Sequence, residues 1–576
     1  MVKLSIDGQQ VEVEEGTKIF EAAEHIGISI PTMCYLKGIN EIGSCRICVV
    51  EIEGRDRLAA SCNTQVEEGM VVRTRTKKVL DAVKTNISLM LANHRAECTT
   101  CNRSTNCVLQ KLAKDFSVKE DRYIKQYSSS KWDAEFPLQR DDSKCIKCMR
   151  CIAVCSEVQG CNVWSFVNSG HRINVGVHEG ENIREAGCSL CGQCIVRCPV
   201  GALNARNDID EVLGAIDDPS VITIANVAPA VRSSWGDDVG IPQEEATVGK
   251  MVATLKRIGF DYVFDTNFAA DLTVMEEASE FLERFTHKED HVWPMFTSCC
   301  PGWVRTVESR HQDIFPQLSS AKSPQQMFGA VIKNYFAEKL GVEPEKIFYT
   351  SIMPCVAKKQ EAAEPDYFSI PDVRDIDAVL TVREFARTIN LRAIDPRDLE
   401  EAEWDMPFGD ASGAGALFGV SGGVSEAALR TAHYFLTGEN PNLDEFVIIE
   451  DRQGWKEKTV NIAGNVVRLA VVSGLKNTDK LLEAIDNGEV EYDFVEVMAC
   501  PGGCSGGGGQ TIRMNQELTV KRSVVLKGID EKQPVRFAHD NPAITHIYEE
   551  FLGEPLGDRA KKLLHVEKSI ALHDGH

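Results

Sequence analysis

Apolar and polar residues alternate roughly one for one from Val2 to Val13 and break at Asp7-Gly8. Alternation of that period marks strands with one buried face, and Asp-Gly is a short turn that lets two of them pair as a hairpin. The period then lengthens to that of a helix: Ile19, Phe20, Ala23 and Ile26 share a face, Thr17 is placed to cap it and Gly27 to stop it. Helical spacing returns from Val83 to Leu91 and from Val108 to Phe116. After about Leu213 the texture becomes one of alternating elements. Val221 to Val227 reads as a buried strand, Val248 to Ile258 as a helix, Tyr262 to Phe264 as a short strand and Leu272 to Phe285 as a helix. More such units follow to about Ser425, which predicts a large α/β domain. Beyond Gln510 the chain turns helical and polar, with Ile544 to Phe551 and Arg559 to Leu564 as candidate helices.

A chain of 576 residues holds about four domains. With 63 Lys and Arg against 86 Asp and Glu, its formal charge of -23 makes nucleic acid a poor partner. No stretch approaches the ~20 apolar residues of a membrane span, and Met1-Val2-Lys3-Leu4 leads directly into a strand pattern rather than an apolar signal region. The cytoplasm is therefore the expected compartment. There, 21 cysteines point to metal or redox chemistry before disulfides.

Their spacing sorts them into sets. Cys34, Cys45, Cys48 and Cys62 place four thiols in a small β-rich region, which suits a [2Fe-2S] cluster; a structural zinc ion accepts the same donors. His94, Cys98, Cys101 and Cys107 follow between two helices, a donor set that by itself is a common one for zinc. The run Cys145, Cys148, Cys151, Cys155 recurs as Cys188, Cys191, Cys194, Cys198 with Pro199 behind it. This is the bacterial two-cluster ferredoxin pattern, in which the fourth cysteine of each run serves the other cluster. Cys145, Cys148, Cys151 and Cys198 should hold one cubane, and Cys188, Cys191, Cys194 and Cys155 the other. Cys161, left over, reads as a small buried hydrophobe.

Three further segments carry thiols in unusual settings: Phe296-Thr297-Ser298-Cys299-Cys300-Pro301-Gly302-Trp303, Met353-Pro354-Cys355-Val356-Ala357-Lys358-Lys359-Gln360-Glu361, and Met498-Ala499-Cys500-Pro501-Gly502-Gly503-Cys504-Ser505 followed by Gly506 to Gly509 and Gln510. A glycine-rich run also suits phosphate, but the lysine followed by Ser or Thr of a nucleotide P-loop is missing. Cys300, Cys355, Cys500 and Cys504 supply four thiolates, enough for another cubane.

In order and separation the three segments resemble the signatures of the iron-only ([FeFe]) hydrogenase family, and the likeness extends over nearly the whole chain. The N-terminal half is similar to the ferredoxin-like region of complex I electron-input subunits. The resemblance implies a multidomain α/β and α+β protein: a β-grasp [2Fe-2S] domain over 1–78, a small helical His/Cys3 [4Fe-4S] segment over 79–125, a two-cluster ferredoxin domain over 138–210, an α/β catalytic domain over 211–515 and a small-subunit-like helical segment over 516–576. It implies an H-cluster in which a cubane is bridged through Cys504 to a two-iron unit with CO, cyanide and azadithiolate ligands, one [2Fe-2S] and three accessory [4Fe-4S] clusters, and dedicated maturation factors. The reaction implied is reversible conversion of protons and electrons to dihydrogen.

On this likeness Lys358, one turn beyond Cys355 if that segment is helical, donates to a cyanide, while Met353, Met498 and Ala228-Pro229-Ala230 wall the two-iron unit. Cys299 becomes the last proton relay, fed by Ser319, Glu277, Glu280 and Arg284. The three residues Glu277, Glu280 and Arg284 share one helix face; the bland reading is an exposed helix with a Glu280 to Arg284 pair worth ~0.3 kcal/mol. Electrons would come from ferredoxin or from partner subunits that bind flavin and NAD(P), since no dinucleotide fingerprint is evident here. A non-catalytic sensor or iron-sulfur relay protein is the competing class.

Overall fold

The computed structural model describes residues 1–119, 122–443, 450–452, 454–513 and 517–566. The expected boundary at 515/516 and the final residues of the 516–576 segment fall outside these. Strands β1 (Val2–Ile6) and β2 (Gln9–Val13) pair antiparallel about Asp7 and Gly8, whose φ values of 48° and 84° make the tight turn that Asp-Gly favours. With β3 (Val49–Ile52), β4 (Ala59–Ala60) and β5 (Val71–Arg73) they form a five-stranded sheet ordered β2-β1-β5-β3-β4. The helix beside it spans Ile19–His25, so Thr17 is not its cap. The Thr17 carbonyl accepts from Val66 N–H at 2.9 Å and keeps the backbone extended; the helix starts beyond Lys18, whose N–H is met by the Glu21 carboxylate at 3.4 Å.

Helices Lys77–Asn93 and Val108–Asp115 carry the next candidate site between them. Two small ribbons follow, β6 (Leu138–Arg140) with β9 (Leu203–Ala205) and β7 (Trp164–Val167) with β8 (Asn174–Val177), accompanied by the short helices Arg150–Glu157 and Gln193–Arg197.

The larger part of the chain is built on two sheets. The first is wholly parallel, with β10 (Ile222–Val227), β11 (Tyr262–Asp265), β13 (Ile347–Met353) and β14 (Ala378–Thr381) in the order β11-β10-β13-β14. The second comprises β12 (Met295–Phe296), β15 (Glu450–Arg452), β16 (Trp455–Ile462), β17 (Asn465–Ser473) and β18 (Phe494–Met498), ordered β12-β18-β17-β16-β15. Alternation therefore continues well past Ser425, and β12, β18 and β17 run parallel.

Helix Thr266–Thr286 begins six residues before its expected start at Leu272. Its first turns, including Phe268, Ala269 and Ala270, are buried all round and so show no amphipathic period. It packs against helices Pro324–Val331, Gly413–Leu417 and Gly423–Thr437. Among the described residues no helix is long and apolar enough to cross a membrane.

One buried charge group locks the ferredoxin-like part to the first sheet. Lys359 is fully enclosed and donates to Asp208 at 2.7 Å and to Glu384 at 3.1 Å, joining the chain just past β9 to the start of the helix that follows β14. Removing one member of a buried ion group leaves the others charged and unpaired. Lys359→Met is expected to cost about 3–5 kcal/mol, read as a lower denaturant midpoint of the metal-loaded protein; an unchanged midpoint would refute the assignment.

Candidate metal centres and active site

The five thiols of the catalytic segments come from the carboxyl ends of parallel strands. Cys355 follows β13, Cys299 and Cys300 lie just beyond β12, and Cys500 and Cys504 lie just beyond β18. Ala228-Pro229-Ala230 leaves the end of β10 in the same way. In open α/β sheets this is where ligands bind, because loops there diverge and leave a crevice. Here two sheets present their crevices to one point. The Cys500 and Cys504 thiols each lie within electrostatic reach of both Cys300 and Cys355. Burial pushes the Cys355 thiol up to about 11 and those of Cys500 and Cys504 well above the ordinary range. Four buried thiols are poor company as thiolates unless a compensating positive charge joins them, which is what iron supplies.

The glycine run closes over this point. A Cβ on Gly508 would stand 2.4 Å from the Cys191 carbonyl oxygen, and one on Gly507 would stand 2.2 Å from that of Pro354. The loop thus lies directly on a cysteine of the ferredoxin-like part and on the residue before Cys355. Arg383 holds it down, donating to the Gly508 carbonyl at 2.8 Å and to that of Gln510. The Gln510 amide in turn donates to the carbonyls of Ala230 at 3.1 Å and Cys504 at 3.3 Å.

Met353 and Met498 are buried, as are Ala228, Pro229 and Ala230. Met498 packs with Ala270, Val274 and Phe418 beside Cys299 and Cys300, and Ala230 packs with Val420 and Leu526 beside Cys504. Cys355 lies outside any helix; the helix begins only at Lys358, so that residue is not one turn along from it. Lys358 reaches the site because Glu361 aims it, accepting at 2.8 and 3.0 Å, with the Cys299 carbonyl at 3.4 Å. Glu361 is itself fixed by the Ser323 hydroxyl at 3.0 Å and the Gln325 amide at 3.1 Å.

Cys299 sits beside Cys300 with Glu277 within electrostatic reach, and burial, then that carboxylate, raise its pKa well above the usual thiol value. Further out, Ser319 donates to Glu280 at 2.7 Å and Arg284 donates to Glu280 at 2.6 Å. Burial would raise the Glu280 pKa, but Arg284 and the Ser319 and Ser320 donors outweigh it and hold the carboxyl below its ordinary range. Glu277 and Glu280 are 1% and 5% exposed, so this helix face is buried and the exposed reading fails. Sequence patterns missed a continuation of the network. The Ser320 hydroxyl donates to Glu280 at 2.9 Å and meets His565 Nδ1 at 2.8 Å, and His565 Nε2 meets the buried Glu276 at 2.9 Å. Glu496 was missed as well; burial raises it to about 7 although it accepts from Gly422 and Ser425 N–H groups at 2.6 and 2.9 Å beside Cys299.

The remaining thiols form a trail to this centre. Cys145, Cys148, Cys151 and Cys198 line one small cavity, and Cys155, Cys188, Cys191 and Cys194 line another. The exchange of fourth cysteines is thus visible in the folded chain. Cys161 borders the second cavity too, with Arg310 Nη2 3.8 Å from its sulfur, so it is a polar wall residue rather than a plain hydrophobe. The Cys500 thiol donates to the Cys191 carbonyl at 3.5 Å, which puts the second cavity against the catalytic thiols. Cys34, Cys45, Cys48 and Cys62 are all buried in mutual contact, and Asn40 ties this group to the first cavity by donating to the carbonyls of Cys34 at 2.7 Å and Cys148 at 3.1 Å. Thiols spaced around cavities fit multi-iron clusters better than single zinc ions.

His94 ends helix Lys77–Asn93 and its Nδ1 lies 2.9 Å from the Lys144 carbonyl. A carbonyl accepts only if Nδ1 carries the proton, which gives Nε2 the lone pair, the arrangement that orients metal-binding histidines. Cys107 caps helix Val108–Asp115, Cys101 lies within its electrostatic reach, and Cys98 is half-buried in the intervening loop.

Five family models match successive stretches. They are the 2Fe-2S iron-sulfur cluster binding domain over 1–77; the NADH-ubiquinone oxidoreductase-G iron-sulfur binding region over 84–122; the NADH-quinone oxidoreductase subunit 3, ferredoxin-like domain, over 136–204; the iron only hydrogenase large subunit, C-terminal domain, over 221–508; and the iron hydrogenase small subunit over 516–567. The chain is 44% identical to the NADP-reducing hydrogenase subunit HndD of Solidesulfovibrio fructosivorans, with 98% of each covered. It is 37% identical to iron hydrogenase 1 of Clostridium pasteurianum, over 98% of this chain and 100% of that protein. A solved apo [FeFe]-hydrogenase HydA1 from Chlamydomonas reinhardtii superposes with a TM-score of 0.58 at 40% identity, covering 63% of this chain and 98% of that one.

If His94 is a ligand, His94→Ala should lose about four iron ions per chain, one [4Fe-4S] cluster, with the other clusters retained; full iron content by chemical assay would remove it from the ligand set.

Proposed function

Because the chain belongs to the iron-only hydrogenase family, we infer that it catalyses the reversible oxidation of dihydrogen to protons and electrons at the point where the two sheets converge. The observation that carries this is the gathering of Cys300, Cys355, Cys500 and Cys504 beside Cys299 and a buried carboxylate chain. These four thiolates would hold an H-cluster, with Cys504 the one that would also serve its two-iron unit. When bound, that group supplies the iron position that polarises dihydrogen and the amine that accepts its proton.

The chain's own residues do the rest. Met353, Met498 and the Ala228-Pro229-Ala230 turn form an apolar wall that keeps water out, and at Ala230 a methyl stands where some family members offer a hydroxyl. Lys358, aimed by Glu361, presents a positive charge toward the thiols and would anchor a cyanide. Cys299 stays protonated because burial and the Glu277 carboxylate disfavour the thiolate, so it can pass a proton and recover it. Outward from it, Glu277, Ser319, Glu280 and Arg284 form the relay to the surface. Serine hydroxyls and carboxylates in short steps are what general acid and base transfer needs.

Electrons would use Cys34, Cys45, Cys48 and Cys62 for a [2Fe-2S] cluster, His94, Cys98, Cys101 and Cys107 for one [4Fe-4S] cluster, and the two ferredoxin-like cavities for two more. The 98% coverage of a protein named for NADP reduction favours a cytoplasmic complex with flavin- and NAD(P)-binding subunits over free ferredoxin as the partner. Co-purification of a flavoprotein from the native cell tests that choice.

Glu277→Gln keeps the size of the side chain but removes its exchangeable charge. Hydrogen evolution from reduced viologen by the matured variant should fall about 100-fold or more at unchanged iron content. Wild-type turnover would exclude the path.

A further inference from the structure

Arg103 lies two residues past Cys101 and is 6% exposed, yet its Nε and Nη1 atoms are buried with no hydrogen-bond partner among the described residues. Three sulfurs, those of Cys198, Cys107 and Cys101, lie within its electrostatic reach, as does the Arg383 guanidinium. The carboxylate in reach is Asp238, which Arg513 shares at 3.7 Å. The junction here is closed tightly. Val108 N–H donates to the Pro199 carbonyl at 3.1 Å, and a Cβ on Gly201 would stand 2.6 Å from Cys101 Sγ and 3.6 Å from Arg103 Cγ.

A guanidinium with bare N–H groups in a dry junction is costly unless acceptors stand in front of it. Thiolate and inorganic sulfide atoms of two clusters would be such acceptors, and two clusters are what the flanking cysteines are placed to hold. Arg150 stands at another approach to Cys198: it is 4% exposed, Cys148, Cys198, Cys34 and Cys45 lie within its electrostatic reach, and its Nη2 donates to the Tyr35 carbonyl at 3.0 Å.

We propose that Arg103 is the potential-setting residue of the junction between the His94/Cys98/Cys101/Cys107 cluster and the Cys145/Cys148/Cys151/Cys198 cluster, donating N–H groups to the sulfurs of both. This rests on the cluster assignments above. Each cluster gains one negative charge on reduction, so a fixed neighbouring positive charge and N–H···S bonds stabilise the reduced form and raise both potentials. The cluster that includes Cys198 has three guanidinium groups within electrostatic reach of its cysteines, Arg103, Arg150 and Arg140, the last lining its cavity. Electrons arriving by either approach therefore collect there before passing to the cavity beside the catalytic thiols.

The test is a redox titration of the full-length, cluster-loaded protein followed by electron paramagnetic resonance. In R103Q the ratio of reduced to oxidised cluster at a fixed poise should fall about tenfold for both flanking clusters, equivalent to about 59 mV for a one-electron couple. The [2Fe-2S] signal should titrate unchanged, and R103K should recover part of the shift by restoring the charge without the planar donors. Unshifted potentials in R103Q, or equal loss of iron in R103Q and R103K, would overturn the proposal, the latter by making Arg103 merely structural. A wild-type protein without the two cluster signals would instead overturn the cluster assignments on which it stands.

Discussion

Thiols buried in groups of four govern this molecule. A single buried cysteine behaves as a small apolar residue, but four facing one cavity are stable as ligands only when metal charge is buried with them. That requirement recurs from the N-terminal sheet to the glycine-rich loop, and it explains why so much of the chain consists of short loops held by donors and acceptors rather than of long regular elements. The ferredoxin-like part is built from two-stranded ribbons, α-helices of five and eight residues and single 3-10 turns. Its interior mixes sulfur with apolar side chains, Phe136, Val154, Trp164 and Ile195 packing around Cys148, Cys194 and Cys198.

The catalytic centre solves a different problem with the same donors. Its thiols arrive from segments more than 200 residues apart in sequence, from Cys299 to Cys504, and are brought together because each segment leaves the carboxyl end of a parallel strand. Parallel strands are buried on both faces and rigid, so the loop starts are fixed even though the loops themselves are irregular. Arg383, Gln510 and the close approach of Gly507 and Gly508 then define where the last loop can lie.

How much of this was legible before folding depended on whether the signal was local. Cysteine spacing is local, and the swapped placing of Cys155 and Cys198 recurs unaltered in the cavities. The hairpin about Asp7-Gly8 and helix Val248–Ile258 were equally plain, because turn chemistry and amphipathic period are short-range. Signals failed where tertiary contacts decide. Thr17 lost its capping role to backbone pairing with Val66, and the second sheet escaped notice because β16, paired in a hairpin with β15, is a polar, half-exposed strand rather than a buried run. Arg383, Glu496 and His565 carry no motif at all. Each matters through a partner far away in sequence, and only folded coordinates reveal such pairings.

The contact of Gly508 with Cys191, together with the hydrogen bond from Cys500 to the same carbonyl, has an evolutionary corollary. Wiring of this kind makes the inner ferredoxin module part of the catalytic body rather than a detachable cassette. Swapping it for a foreign module would disturb the glycine loop and Cys500 along with the electron route. Diversification by gain or loss of whole modules is correspondingly easier at the outer end, where the N-terminal part meets its neighbour through Asn40 and Arg150.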